Sequence, residues 1–133
     1  MQHIADTGFL VAYWSRNDQH HAWARSLVLR PPLITYAPVL TEAAYLLGRE
    51  EPLLQMLEEG DMVSTFDMDA NASRLMQWIG KYADTAPGLT DACVVRLAEM
   101  NPRAEILTTD RRDFSMYRTL AGKPLKCVFP PVD

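Results

Sequence analysis

The sequence predicts an α/β fold, a three-layer α/β/α sandwich with about five parallel strands, and three observations predict it. Short apolar runs at 2–5, 33–36, 62–66, 105–109 and 125–129 have strand length. Between them lie segments with apolar residues at helical spacing, of which 69–82 is the clearest. Strands alternating with helices imply parallel pairing through right-handed crossovers.

Residues 2–5 read as the first strand and about 8–15 as a helix, closed by the polar break Arg16-Asn17-Asp18. A second helix is predicted over about 19–29 and ends at Pro31-Pro32. Leu33-Ile34-Thr35-Tyr36 is the second strand, and Pro38 opens a helix to Leu47 that stops near Gly48. Pro52 opens another, closing at Gly60, before the third strand Met62–Phe66. In the helix Asp69–Tyr82 the residues Ala72, Leu75, Met76 and Ile79 form the expected inner stripe, with Asp67 or Asp69 as cap. A further helix runs from about Thr90 to Met100, followed by strands Glu105–Thr109 and Leu125–Phe129. No linker is long enough to divide residues 1–133, so a single domain is expected.

With 48% apolar and 23% charged residues the composition is that of a soluble globular chain. The apolar run at the amino terminus is interrupted by Asp6 and lacks a basic leader, so neither a signal peptide nor a membrane span is expected. Cys93 and Cys127 have no metal-ligand spacing and read as buried reduced thiols, in keeping with a cytoplasmic setting. A formal net charge of −4 argues against gripping nucleic acid by bulk electrostatics, although the tail beyond Asn101 is locally basic.

Four carboxylates fit poorly as solvated surface. Asp6 and Asp110 end the first and fourth strands; if these are neighbours where the chain order reverses, both acids face one crevice. Glu42 has Val39, Tyr45 and Leu46 as helical neighbours, an apolar stripe where an acid is uncommon. Asp91 opens the mostly apolar helix that continues Ala92-Cys93-Val94-Val95. Each has an ordinary reading alone: Asp6 as a helix cap, Glu42 as a rim residue, Asp91 as a helix-start acid, Asp110 as a turn residue. Their joint occurrence favours one site. Two carboxylates about 4 Å apart repel by roughly 4 kcal/mol at an effective dielectric near 20. A cluster therefore takes up protons unless a cation holds it ionised. Oxygen ligands without His or Cys select Mg²⁺ or Mn²⁺, the equipment for phosphodiester hydrolysis.

On these residues the chain resembles the PIN domains, and among them the VapC-type toxin ribonucleases of toxin–antitoxin pairs. The matching pieces are Ala5-Asp6-Thr7-Gly8, Thr41-Glu42, Leu89-Thr90-Asp91-Ala92 and Ile106–Phe114, in family order across nearly the whole chain. Gly8 stands where Ser is more usual and Thr90 where Ala is common. The resemblance implies a sheet in the order 3-2-1-4-5 and a Mg²⁺- or Mn²⁺-dependent endoribonuclease. It implies Asp6, Asp91 and Asp110 as metal ligands, Glu42 as a ligand directly or through water, and Thr7 and Thr109 as residues orienting them. Asp113 either joins the metal site or, the preferred reading, caps a short helix Phe114–Arg118. Arg111 and Arg112 are candidates for holding RNA phosphates or plain turn arginines. A homodimer silenced by a cognate antitoxin is the expected assembly, with Trp14, Trp23 and Tyr45 as candidate partner-facing aromatics, core packing being the preferred reading for most of them. His20-His21 read as surface residues, and Met62, Met68 and Met76 as core filler.

Asp6-Thr7-Gly8 is also the aspartic-protease triplet, but the helical patterns oppose a fold built of strands. A receiver or phosphatase-like domain lacks its second acid. The rival that remains is a catalytically weak PIN-fold module that binds RNA or a partner.

Overall fold

The computed structural model describes residues 2–132. It has five parallel strands: β1 His3–Ala5, β2 Leu33–Ile34, β3 Met62–Val63, β4 Glu105–Leu107 and β5 Cys127–Val128. Their order is β3-β2-β1-β4-β5. Ile4 pairs with Ile34 on one side and Ile106 on the other, so β1 is central and wholly buried. The chain reverses direction across the sheet between β1 and β4, as the three-layer α/β/α prediction requires.

The helices are α1 Thr7–Trp14, α2 His21–Ser26, α3 Ala37–Leu47, α4 Glu51–Glu58, α5 Met68–Lys81, α6 Leu89–Met100 and α7 Arg111–Met116. Helix α1 packs on α2 and α3, α5 packs on α6, and α6 lies against β1 and β4. Phe9, Leu10, Val39, Val94, Val95, Ile106 and Phe114 fill the core. Helix α3 stops where Gly48 turns to φ +74°, a conformation glycine adopts without a Cβ penalty.

Several boundaries contract. Extended residues past the last ladder bond, such as 35–36 and 108–109, fall outside β2 and β4. Helix α2 shortens to one and a half turns, and a 3₁₀ turn at Ala83–Thr85 follows α5. Helix α5 is capped by Asp67, whose carboxylate accepts from the Ala70 amide at 3.1 Å, but its inner stripe differs from the expected one. Asn71, Leu75 and Trp78 point inward, while Ala72 and Met76 are exposed, so Met76 is not core filler. The large aromatics set this rotation: Trp78 and Tyr82 pack on Tyr117 with ring centroids 4.9 and 5.3 Å away, and the Trp78 indole donates to Arg118 O at 2.8 Å. Cys93 is buried and Cys127 half-buried, both free.

Helix α7 also departs from expectation. It starts at Arg111 because Asp110 is its cap, accepting from the Asp113 amide at 3.0 Å. Asp113 therefore does not cap a helix Phe114–Arg118; it sits in the first turn of a helix that has already begun.

Candidate functional site: an acid cluster at the carboxyl end of the sheet

Asp6 follows β1, and Asp110 follows β4 beyond Thr108-Thr109. Asp91 and Asp113 lie in the first turns of α6 and α7. One carboxylate oxygen from each of Asp91, Asp110 and Asp113 lies within 4.8 Å of the others. Asp6 is deeper, at 7% exposure, and feels the charges of Asp91 and Asp110. The amino ends of α1 and α6, which carry partial positive charge, adjoin these acids and help tolerate them.

Asp6 occupies the cap position of α1 without a side-chain capping bond. Its Oδ2 instead accepts from the Thr108 hydroxyl at 2.8 Å. The same hydroxyl oxygen accepts from the Asp110 amide at 3.1 Å, so one threonine fixes Asp6 and the start of α7 together. Tyr117 Oη donates to Asp91 Oδ2 at 2.9 Å, and the Trp78–Tyr82 aromatic packing holds that phenol in place.

All three principal acids are shifted toward their protonated forms. Burial pushes the Asp6 carboxyl up to about 6, against the Thr108 and Thr7 hydrogen bonds and with help from Asp91 and Asp110. Asp91 is raised first by burial and then by Asp110, Asp113 and Glu42, while Tyr117 opposes the shift. Asp110 is raised by burial and by the Asp113 carboxyl, while the hydrogen bond from the Asp113 amide and the Arg112 charge oppose this. Burial, then the nearby Asp6, raises the Cys127 thiol to about 12, which keeps it protonated and inert. These are carboxylates whose shared ionisation a bound divalent cation would stabilise. An oxygen-only donor set at this spacing fits Mg²⁺ or Mn²⁺.

The structure thus brings Asp6, Asp91 and Asp110 together and adds Asp113. Glu42 reaches the same neighbourhood as a charge felt by Asp91, but it is exposed and stands outside the tight group. Its supposed apolar stripe is divided: Val39 and Ala43 point inward, while Tyr45 is 83% exposed. Trp14 and Trp23, by contrast, pack against the core.

Among the described residues neither Thr7 nor Thr109 bonds a carboxylate through its hydroxyl. Thr7 Oγ1 is buried without a partner. Thr109 lies against Gly8, where an added Cβ would collide with Oγ1 and sit 3.3 Å from the Thr109 Cβ. The orienting hydroxyls are Thr108 and Tyr117, which sequence reasoning passed over. Arg111 donates to Pro130 O at 2.7 Å and lies 4.7 Å from the Phe129 ring centroid; Arg112 is exposed beside Asp110.

No helix among the described residues is long and apolar enough to cross a membrane. No protein-family profile matches the chain. In sequence the chain is similar to Ribonuclease VapC26 of Mycobacterium tuberculosis, with 29% identity over 127 residues that cover 90% of this chain and 94% of that relative.

Proposed function

We propose that this chain is a single PIN-type domain acting as a metal-dependent endoribonuclease, the toxin of a type II toxin–antitoxin pair. The observation that carries the proposal is the convergence of Asp91, Asp110 and Asp113 beside buried Asp6. Similarity to a ribonuclease over nearly the full length of both chains supports RNA as the substrate. A cytoplasmic homodimer with a cognate antitoxin completes the reading.

Asp6, Asp91 and Asp110 hold the cation in this scheme, with Asp113 as an added ligand and Glu42 acting from the rim through water. When bound, Mg²⁺ or Mn²⁺ supplies a water of lowered pKa and offsets charge on the scissile phosphate. Thr108 and Tyr117 keep the carboxylate oxygens aimed by donating to one oxygen of Asp6 and of Asp91, leaving the other oxygens for the site. Arg112, exposed beside the cluster, is positioned to steady an RNA phosphate, whereas Arg111 is tied to the 129–130 segment.

The test is cleavage of single-stranded RNA with added Mn²⁺ by the wild-type chain and by Asp6→Asn. Product from the wild type alone supports the nuclease. Equal product from both would remove it and leave the binding module.

A further inference from the structure

The amino ends of β4 and β5 border a second cleft, of about 450 Å³. Arg74 of α5, Arg96 of α6, and Lys123 and Lys126 ahead of β5 line it, against one carboxylate, Glu99. That is a surplus of three positive charges, gathered in a chain whose formal net charge is −4.

Glu99 does not neutralise the cleft. Its Oε1 lies 3.3 Å from Arg96 Nη1 and 4.0 Å from Arg74 Nη2, and its Oε2 accepts from the Leu120 amide at 2.7 Å. It works as a bracket that holds two guanidinium groups and a turn. Arg96 is fixed further, because its Nε donates to Asn71 Oδ1 at 2.7 Å. Its remaining terminal nitrogen has no protein acceptor among the described residues.

Lys123 sits on an equally determined turn. Thr119 N donates to Lys123 O at 2.9 Å, Lys123 N donates to Thr119 Oγ1 at 3.0 Å, and Gly122 takes φ +83°. Neither Lys123 nor Lys126 forms an ion pair among the described residues. Arg96, the one guanidinium held by two side chains, loses little freedom on meeting an anion, while the exposed lysines add charge at the mouth of the cleft. Pro102, Ala104 and Leu125 give the same cleft an apolar wall. Its volume falls in the range of small-molecule sites, about 300–1,000 Å³.

We infer that this cleft binds a nucleoside monophosphate group, carried by a free nucleotide or by the phosphorylated end of an RNA. The two arginines and two lysines take the phosphate, with Arg96 offering its unused N–H edge. The base or sugar lies on Leu125 and Pro102. The cleft and the acid cluster stand at opposite ends of β4, about 15–20 Å apart at the rise of extended chain. The inference goes beyond the nuclease reading and is tested without turnover.

The experiment titrates the full chain calorimetrically, in low-salt buffer with a chelator that prevents cleavage. The probes are 5′-AMP, inorganic phosphate, and one short RNA prepared with a 5′-phosphate or a 5′-hydroxyl. AMP is expected to bind more tightly than phosphate. The double variant K123E/K126E, at exposed positions, is expected to weaken AMP about tenfold or more at an unchanged unfolding midpoint. D91N is expected to keep AMP affinity within about twofold, since it alters only the distant end. A preference for the 5′-phosphorylated RNA, lost in the double variant, assigns the site to RNA ends; indifference to that phosphate with AMP binding intact assigns it to free nucleotide. Absence of AMP binding at millimolar concentration, equal affinity in wild type and double variant, or phosphate matching AMP would overturn the inference. So would an acidic peptide that binds more tightly than AMP and displaces it. Loss of RNA cleavage in Asp6→Asn bears on none of these outcomes.

Discussion

The two ends of the sheet treat charge in opposite ways. At the carboxyl end the fold brings acids together and supplies hydrogen-bond donors that aim them, Thr108 on Asp6 and Tyr117 on Asp91, without a full countercharge. At the amino end it gathers cations but sets Glu99 among them as a brace. Burial first, and the neighbouring carboxylates after it, raise the acids at this end toward their protonated forms, so ionising them in the folded chain is costly. The basic end is partly self-compensated. Opposite ends of one sheet thus carry acids short of countercharge and cations braced by a single carboxylate.

The sharpest test of this difference is Asp91→Asn. Under the proposed function this change removes a metal-holding oxygen and is expected to lower RNA cleavage by about 10²–10³-fold, the scale seen on removing one electrostatic group from a hydrolytic site. The same change removes like-charge repulsion and is expected to raise the metal-free unfolding midpoint, a gain in stability bought with activity. A fall in that midpoint would contradict costly ionisation at the acid end.

Acid titration gives the next effect. Asp6 keeps its proton up to about pH 6 in the folded chain but only to 3.8 when unfolded. The folded state then holds more protons between those values, so stability decreases as pH rises through the window and stays lower above it. The difference is about 3 kcal/mol for this group. Unfolding midpoints from pH 4 to 7 in chelator should show the slope, and Asp6→Asn should flatten it. Added Mg²⁺ should do the same by stabilising the ionised form.

Thr108→Val keeps the shape but strips Asp6 of its hydroxyl donor and the Asp110 amide of its acceptor. A cost of about 1–3 kcal/mol in denaturant unfolding is expected, with cleavage reduced as well. Gly8→Ala should cost about 1–3 kcal/mol by overpacking against Thr109. Adding Thr109→Ala should recover most of that loss in a double-mutant cycle, because the obstructing oxygen is gone. Tyr45→Ala, on the exposed face of α3, marks the lower limit, with a stability change within about 0.5 kcal/mol.

The strand order came from the resemblance to the PIN domains, while the residues alone made the meeting of Asp6 and Asp110 conditional on β1 and β4 being neighbours; the sheet meets that condition, and strand ends and helix starts converge at its carboxyl edge. Thr108 was legible too, had period-two alternation been carried past β4: residues 108 and 110 share a face, and 109 lies on the other. Asp113 was misread because the cap was placed three residues late. Once Asp110 is the cap, a residue three positions on is where a side chain turns back toward the helix start. Tyr117 carried no local signal, since its bond to Asp91 joins elements 26 residues apart through the aromatic packing around Trp78. Glu42 was ambiguous because α3 places Tyr45 and Leu46 in solvent, and an apolar letter does not say which way it faces.

The link between Arg111 and Pro130 O has a practical side for anyone producing this polypeptide. It holds residues 129–130 against the first residue of α7, whose cap is Asp110, so a polyhistidine handle fused beyond them could bring imidazoles within reach of the carboxylates. Such a handle would recruit nickel or zinc and blur any assay of the metal proposed for this site. A handle fused ahead of β1 emerges at the far end of the sheet and leaves that question clean.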